Sequence, residues 1–356
     1  MRFAAIECLL PSHRVGNDEL IAEVLGRSAA HMNERQLRQL DRSFRVLFDA
    51  AGTKVRYLRA PEETAHDFVV GVANAALRRS GMSPGDIDLL IWVGVGRGFL
   101  EPATSVVFQD ALHMVNATCF DVLDACASWL RALHVAHAHI RNGDYRNVMI
   151  LNGEFNFREY ADFEFKSVSD LQHNFSTFTI GEAATATILS ADSDEGDDFY
   201  ASFRTHGDLR NLCMIPLPNL AQFNGAPADA HAKPLTFYSH AKELFEFGIS
   251  KLIDHYNTEA RIKAFTPEIV FGHAASDAAS TRIAKGCNAE NDHIYYFAHA
   301  RFGNTVSASV PLAMAHAEKE GRLKDGAKVM IAMASAGLST GWTRFTYHNG
   351  AGERRG

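Results

Sequence analysis

The chain has 356 residues, 47% of them hydrophobic and 22% charged, with a formal net charge of −7. This is the composition of a soluble globular protein long enough for two domains or one duplicated core. The acidic balance argues against a nucleic-acid partner, and with no uninterrupted apolar run of about 18 residues no membrane-spanning helix is expected.

Residues 1–12 read as a first strand rather than a signal peptide, because Arg2 and Glu7 interrupt a short apolar run. A helix is expected over 65–81, then the turn Ser83-Pro84-Gly85 and the strand-like run DLLIWVGV at 88–95. A second helix spans 126–142, ends in Asn142-Gly143-Asp144 and leads into the strand NVMILNGE at 147–154. Residues 155–178 break the pattern, mixing Phe with charges. They fit either a lid over a binding site or a surface segment packing its own aromatics. A helix over 240–256 precedes the strand PEIVFGHA at 267–274, and a helix over 305–321 precedes KVMIAMAS at 328–335. The strand-like runs lack clean alternation, which is the pattern of strands covered on both faces. The fold class is therefore α/β with mixed, mainly parallel sheets.

The order helix, turn, strand appears twice, and the spacing from Cys126 to its following strand is close to that from Asn304 to its own. We infer two pseudo-symmetric halves, 1–192 and 193–356, the first carrying Cys126 and the second carrying His273 and Asn304. Ligands collect at the carboxyl ends of parallel strands, and the pseudo-symmetry brings these three residues to that end.

The five cysteines are scattered and form no CxxC pair, so neither a metal site nor a disulfide framework is indicated and a reducing cytoplasm fits. Cys126 stands where an apolar run passes into a helix. Free N–H groups there lower a thiol pKa and favour the thiolate nucleophile. His273 follows a strand directly and reaches the same edge. Asn304 follows Gly303 and either caps the next helix or offers its amide to a substrate. A cysteine with His and Asn supports acyl transfer. Neutral imidazole and amide both donate to a developing oxyanion or enolate. The backbone N–H groups of Cys126 and of Ala336, in the turn 334–339, would cradle a thioester oxygen. Glu101, between Phe99-Leu100 and Pro102, is a candidate partly buried base with a raised pKa. The glycines at 94, 96 and 98 do not have GxGxxG spacing, and no helix follows at once, so a nucleotide loop is rejected.

The motifs Ala125-Cys126-Ala127, Gly272-His273-Ala274 and Gly303-Asn304-Thr305 with Ser309-Val310-Pro311-Leu312 resemble, in order and over nearly the whole chain, those of thiolase-fold condensing enzymes of the 3-oxoacyl-[acyl-carrier-protein] synthase III type. Gly181-Glu182-Ala183-Ala184 and the segment 334–342 fall where that family has glycine-rich turns. The resemblance implies a thiolase-like five-layered αβαβα fold, a cytoplasmic homodimer, and an acyltransferase of fatty acid or polyketide biosynthesis. Its substrates are thioesters of coenzyme A or an acyl carrier protein, with no tightly bound cofactor, no metal, no nucleic acid and no membrane. It further implies that Cys126 takes up an acyl group, and that His273 and Asn304 hold a second thioester, malonyl or acyl, for a Claisen condensation to a 3-oxoacyl product.

The chain also departs from the family. Gly-His-Ala-Ala-Ser replaces the usual Pro-His-Gln-Ala-Asn, and the tryptophan that usually stacks on adenine is missing near 47–59. Arg282 and Lys285 are candidates for a phosphate contact. Phe99-Leu100-Glu101-Pro102 is similar to a segment of olefin-pathway thiolases, in which a glutamate enters the partner subunit's site and removes an α-proton without decarboxylation. Two alternatives remain on the same fold: transfer from acyl-Cys126 to a hydroxyl or amine of a small metabolite, and a catalytically silent partner subunit.

Overall fold

Described over residues 1–191, 198–224, 231–290 and 294–349, the computed structural model builds two central sheets whose inner strands are buried on both faces. The expected boundary between residues 192 and 193 lies outside the described residues. In chain order the elements are β1 (Arg2–Leu9), β2 (His13–Gly16), α1 (Asn17–Ser28), α2 (Glu34–Ala51), β3 (Val55–Leu58), α3 (Ala65–Ser80), β4 (Leu89–Val93), α4 (Thr104–Ala111), β5 (Thr118–Val122), α5 (Ser128–Asn142), β6 (Asn147–Glu154), α6 (Phe157–Tyr160), α7 (Leu171–Asn174) and β7 (Ala183–Ser190). They continue with β8 (Tyr200–Thr205), β9 (Cys213–Met214), α8 (Leu220–Asn224), β10 (Tyr238–Ser239), α9 (Ala241–Thr258), α10 (Ala260–Lys263), β11 (Ile269–Gly272), α11 (Asp277–Gly286), α12 (His299–Phe302), α13 (Ser309–Lys319), β12 (Ala327–Ser335) and β13 (Ser339–Tyr347).

The first sheet has the order β1-β7-β6-β4-β5 and the second β11-β12-β13-β8. Parallel pairing joins β4 to β5 and β6, and β11 to β12. The other ladders of these two sheets are antiparallel. The sheets are thus mixed, with parallel pairing concentrated in the strands that end at the candidate site. The antiparallel share has a local cause. β12 returns into β13 after three residues, Ser335 pairing with Ser339, and so short a link cannot make the crossover that a parallel pair needs.

Packing follows the apolar faces. On one side α3 and α4 bury Val69, Val72, Ala76 and Phe108 against Leu90, Trp92, Met149 and Ile188 of the first sheet. The opposite face of that sheet, with Ile91 and Ile150, shares a core with α5, α13 and the inner face of the second sheet (Phe271, Ile331, Met333). The outer face of the second sheet meets α9 and α11 through Leu252, Tyr256 and Ile283. The layers therefore run helix, sheet, helix, sheet, helix. The central helices α5 and α13 are flanked by sheets on both sides, and α13 is buried at nearly every position, as expected for a helix without a solvent face.

Residues 155–178 form short helical turns whose Phe157, Phe163, Phe165, Phe175 and Phe178 pack with Phe44 and Phe48 of α2. The segment packs its own aromatics, as one of the two expectations had it, and also supplies wall to the cavity described below.

Gly181 precedes β7 where the halves meet. Its N–H donates to the Asn304 carbonyl at 3.0 Å, and the Asn304 N–H donates to the Thr179 carbonyl at 2.8 Å. A Cβ on Gly181 would lie 2.5 Å from the Phe302 carbonyl oxygen, whereas one on Gly98 would meet nothing within 4 Å. Gly181→Ala is expected to destabilise the fold by about 1–3 kcal/mol, the usual cost of overpacking, and Gly98→Ala by less than about 0.5 kcal/mol. Thermal unfolding of the two variants checks this.

Candidate active site

The carboxyl ends of β5, β11 and β12 open onto one cavity of about 790 Å³. Cys126, His273, Asn304 and Ala336 all line it. Leu47 and Ala51 of α2, Phe175, Phe245 and Ile249 of α9, and Ile283 of α11 give it an apolar wall. The volume lies within the range of small-molecule sites, whose walls are mostly apolar with a few placed polar groups.

Cys126 occupies a 3-10 turn, Ala125–Ala127, at the entry to α5. Ala125 is forced to φ +47, the left-handed region that non-glycine residues avoid. The turn is held from both sides. Ser128 Oγ donates to the Ala125 carbonyl at 2.7 Å, and the Ala127 N–H donates to Ser335 Oγ at 3.2 Å. Ser335 Oγ in turn donates to the Asp124 carbonyl at 2.8 Å. The last residue of β12 thereby anchors the cysteine turn of the other half, and the backbone N–H groups of Cys126 and Ala336 face the thiol sulfur.

The ionisation state of that thiol differs from the sequence expectation. Burial pushes its pKa upward, and Cys213 and Glu154 add to the shift, while the two N–H groups oppose it. The helix entry is present, but desolvation by apolar walls outweighs it. The resting group is a thiol.

His273 is buried, and its pKa falls to about 4 through desolvation and the nearby His299, with the Val306 backbone opposing the shift. It is neutral at pH 7. His299 is itself fully buried between the Thr53 hydroxyl and the Ala274 carbonyl, each at 2.7 Å from a ring nitrogen. A carbonyl only accepts, so Nδ1 carries the proton and Nε2 accepts from Thr53. Asn304 sits in the second turn of the site. Its Oδ1 accepts from the Val306 N–H at 3.0 Å, leaving the amide NH₂ as the donor group. Val306 is held at φ +49, a strained value for a β-branched residue.

Glu101 does not join this constellation. It is exposed and is not among the residues lining the cavity of its own chain, so the expectation of a partly buried base is corrected. The flanking Phe99 and Leu100 are solvent-facing as well. Arg282 and Lys285 are exposed on α11. The Arg282 guanidinium lies 5.2 Å from the ring centre of Phe245, a wall residue, which puts it at the cavity rim.

The sequence reading passed over several residues of the site. Cys213 lines the cavity, its thiol pushed up to about 12 by burial, and Lys242 brings an exposed ammonium to the lining. Glu154, the last residue of β6, is 3% exposed and takes hydrogen bonds from Ser307 and the Val95 N–H. Its signal was present in the sequence: a carboxylate closing the apolar run 147–154 at a strand's carboxyl end.

Residues 120–207 match the 3-oxoacyl-[acyl-carrier-protein] synthase III family and residues 258–347 match its C-terminal region. Beta-ketoacyl-[acyl-carrier-protein] synthase III of Neisseria meningitidis serogroup B is 26% identical over 340 residues, covering 95% of this chain and 96% of that protein. The crystal structure of 3-oxoacyl-[acyl-carrier-protein] synthase III from Aquifex aeolicus superposes with a TM-score of 0.79 at 21% identity, covering 97% of this chain and 99% of that one. A structure of OleA from Xanthomonas campestris superposes with a TM-score of 0.82 at 17% identity, covering 97% and 98%. These two superpositions establish the fold.

The raised thiol pKa makes a kinetic prediction. Alkylation of Cys126 by iodoacetamide is expected to be slow at pH 7 and to keep accelerating up to pH 9. Mass spectrometry of the peptide containing Cys126 follows it, and a rate that levels off below pH 7 contradicts the burial argument.

Proposed function

This chain belongs to the 3-oxoacyl-[acyl-carrier-protein] synthase III family and is an acyltransferase, and from that premise we propose how its site condenses acyl thioesters to a 3-oxoacyl product. Cys126 Sγ attacks the carbonyl carbon of an acyl thioester of coenzyme A or an acyl carrier protein. The tetrahedral oxyanion takes hydrogen bonds from the N–H groups of Cys126 and Ala336. The carrier thiol leaves with the proton lost from Sγ, and the acyl chain lies along the apolar wall.

The second thioester, malonyl in the simplest case, places its carbonyl oxygen toward neutral His273 and the Asn304 amide. Loss of carbon dioxide leaves an enolate whose charge these two donors stabilise. The enolate carbon attacks the acyl-Cys126 carbonyl, the C–S bond breaks, the expelled Cys126 thiolate takes a proton from solvent to return to the resting thiol, and the 3-oxoacyl thioester departs with the second carrier. The observation that supports this reading is the meeting of the three side chains in one cavity, with two N–H groups facing the sulfur. A histidine held at a pKa of about 4 suits a neutral donor and argues against an imidazolium.

The reading extends to the carrier and the assembly. Lys242 and Arg282 place positive charge at the mouth, where the phosphate of a pantetheine arm would arrive, with Lys285 further along α11. β5 is an edge strand of the first sheet, and Phe99, Leu100, Val106, Val107, Val115 and Leu123 near it are exposed. An unpaired edge with apolar neighbours suits pairing with a second copy. In such a homodimer Glu101 would serve the partner's site as a base for a non-decarboxylative condensation. A cytoplasmic setting suits five cysteines that form no disulfide. Among the described residues no helix is long and apolar enough to cross a membrane.

Incubation with acyl-CoA donors of graded chain length is expected to leave an acyl mass on the Cys126 peptide and none in Cys126→Ala. Adding malonyl-CoA, malonyl carrier protein or a second acyl-CoA then discharges it as a carbon–carbon bonded product. Absence of any adduct across the series overturns the reading. If Glu101 works across a dimer, mixing Cys126→Ala with Glu101→Ala restores activity with an acyl-CoA second substrate. No restoration removes that role.

A further inference from the structure

Glu154 is the buried carboxylate that the reaction above does not use. It ends β6, is 3% exposed, and interacts electrostatically with Cys126. It accepts the Val95 N–H at 3.3 Å and the Ser307 N–H at 3.3 Å, together with the Ser307 hydroxyl and the Gly96 N–H. Ser307 Oγ also accepts from Asn152 Nδ2 at 2.8 Å. Two residues of the first half thus grip the one serine that follows Val306. Val306 stands at φ +49, and its N–H fixes Asn304 Oδ1. The His273 ring also lies against the Val306 backbone.

Left to itself, a valine relaxes out of the left-handed region. A clamp on the next residue that spans both halves prevents this. We infer that Glu154, through Ser307, is a positioning residue that holds Val306 in its strained conformation, and so sets where Asn304 and His273 meet the second substrate above Cys126. The inference rests on the proposed condensation and names the residue that organises its second step. Cys126 has separate anchors in Ser128 and Ser335, so the first step, acylation, does not depend on this clamp.

The acid–base state of Glu154 supports the same conclusion. Desolvation raises its pKa to about 7, against the hydrogen bonds it accepts. Cys126 is the titratable group coupled to it; Val95, Gly96, Asn152 and Ser307 carry no charge. The three backbone N–H groups around it match the acceptor-only carboxylate, whereas the protonated form has only the Ser307 hydroxyl to accept its O–H. The clamp therefore tightens as pH rises through about 7. The sign for stability is opposite. The folded state keeps the proton to higher pH than the unfolded chain, so stability falls as pH rises from the ordinary 4.5 to about 7.

The test compares the wild type with Glu154→Gln, Glu154→Asp and Ser307→Ala. It measures two rates on each: acyl uptake on Cys126 by intact mass, and steady-state condensation with malonyl-CoA across pH 5.5–9. For Glu154→Gln we expect acyl uptake no slower than in the wild type, since a charge that helps raise the Cys126 pKa is removed, a kcat for condensation lower by about 10²-fold, as for a misplaced catalytic group, and loss of the pH limb near 7. Glu154→Asp recovers part of the rate. Ser307→Ala shows the same split to a smaller degree and keeps the test valid should Glu154→Gln not fold. An unchanged kcat and pH profile in both Glu154→Gln and Ser307→Ala overturns the inference and leaves the proposed condensation standing. Parallel loss of acylation and condensation with a lowered melting temperature also overturns it, because the role is then merely structural. A wild type that takes up no acyl group overturns the proposed reaction itself, and this inference with it.

Discussion

Two turns, one from each half, carry a residue in the left-handed region: Ala125 beside Cys126 and Val306 beside Asn304. Neither has the glycine that would make the conformation free. Each is kept in place by hydrogen bonds from the other half: Ser335 on the Asp124–Ala127 segment, and Glu154 with Asn152 on Ser307. A third tie, between Asn304 and the Thr179–Gly181 backbone, completes the crossing. Strain persists only where the surroundings over-determine it, and here the surroundings are the opposing half. The site therefore depends on the docking of the halves through the central helices α5 and α13, which those turns open.

This arrangement gives the two steps of the proposed reaction separate supports. The sulfur and its N–H pair hang on β12 and α5. The donors for the second substrate hang on β11 and on the turn before α13. The shared cavity brings them together, and its apolar wall has electrostatic consequences. It keeps His273 neutral and Cys126 protonated by withholding water from their charged forms. It also strengthens any hydrogen bond made to an oxyanion inside it. An incoming thioester meets a protonated nucleophile and pre-aimed neutral donors, rather than a standing thiolate–imidazolium pair.

Much of this was legible in the amino-acid order. The apolar runs at 88–95, 147–154 and 328–335 marked buried strands because their residues do not alternate. The duplicated helix, turn, strand order led to a carboxyl-end site containing residues 126, 273 and 304. What was not legible depends on distant partners. Glu101 and Glu154 are each a carboxylate just past an apolar stretch, and local pattern cannot tell which one is buried. The structure buries Glu154 under the second half and leaves Glu101 in solvent. The thiol pKa was misjudged for the same reason, since a helix entry is visible in sequence while the walls that desolvate it come from α2, α9 and α11. The antiparallel returns of β7 and β13 were hidden because a strand's composition does not state its direction.

The central claim is that one pocket holds an acylated sulfur under two backbone donors and opposite two neutral side-chain donors. The most direct measurement is a crystal structure of the protein bearing an acyl group on Cys126. The account predicts the thioester oxygen within about 3 Å of the N–H groups of Cys126 and Ala336, the chain along Phe175 and Ile249, and the His273 ring and Asn304 amide facing the carbonyl carbon. An acyl oxygen turned away from both N–H groups, or a chain lying outside the cavity, would contradict it.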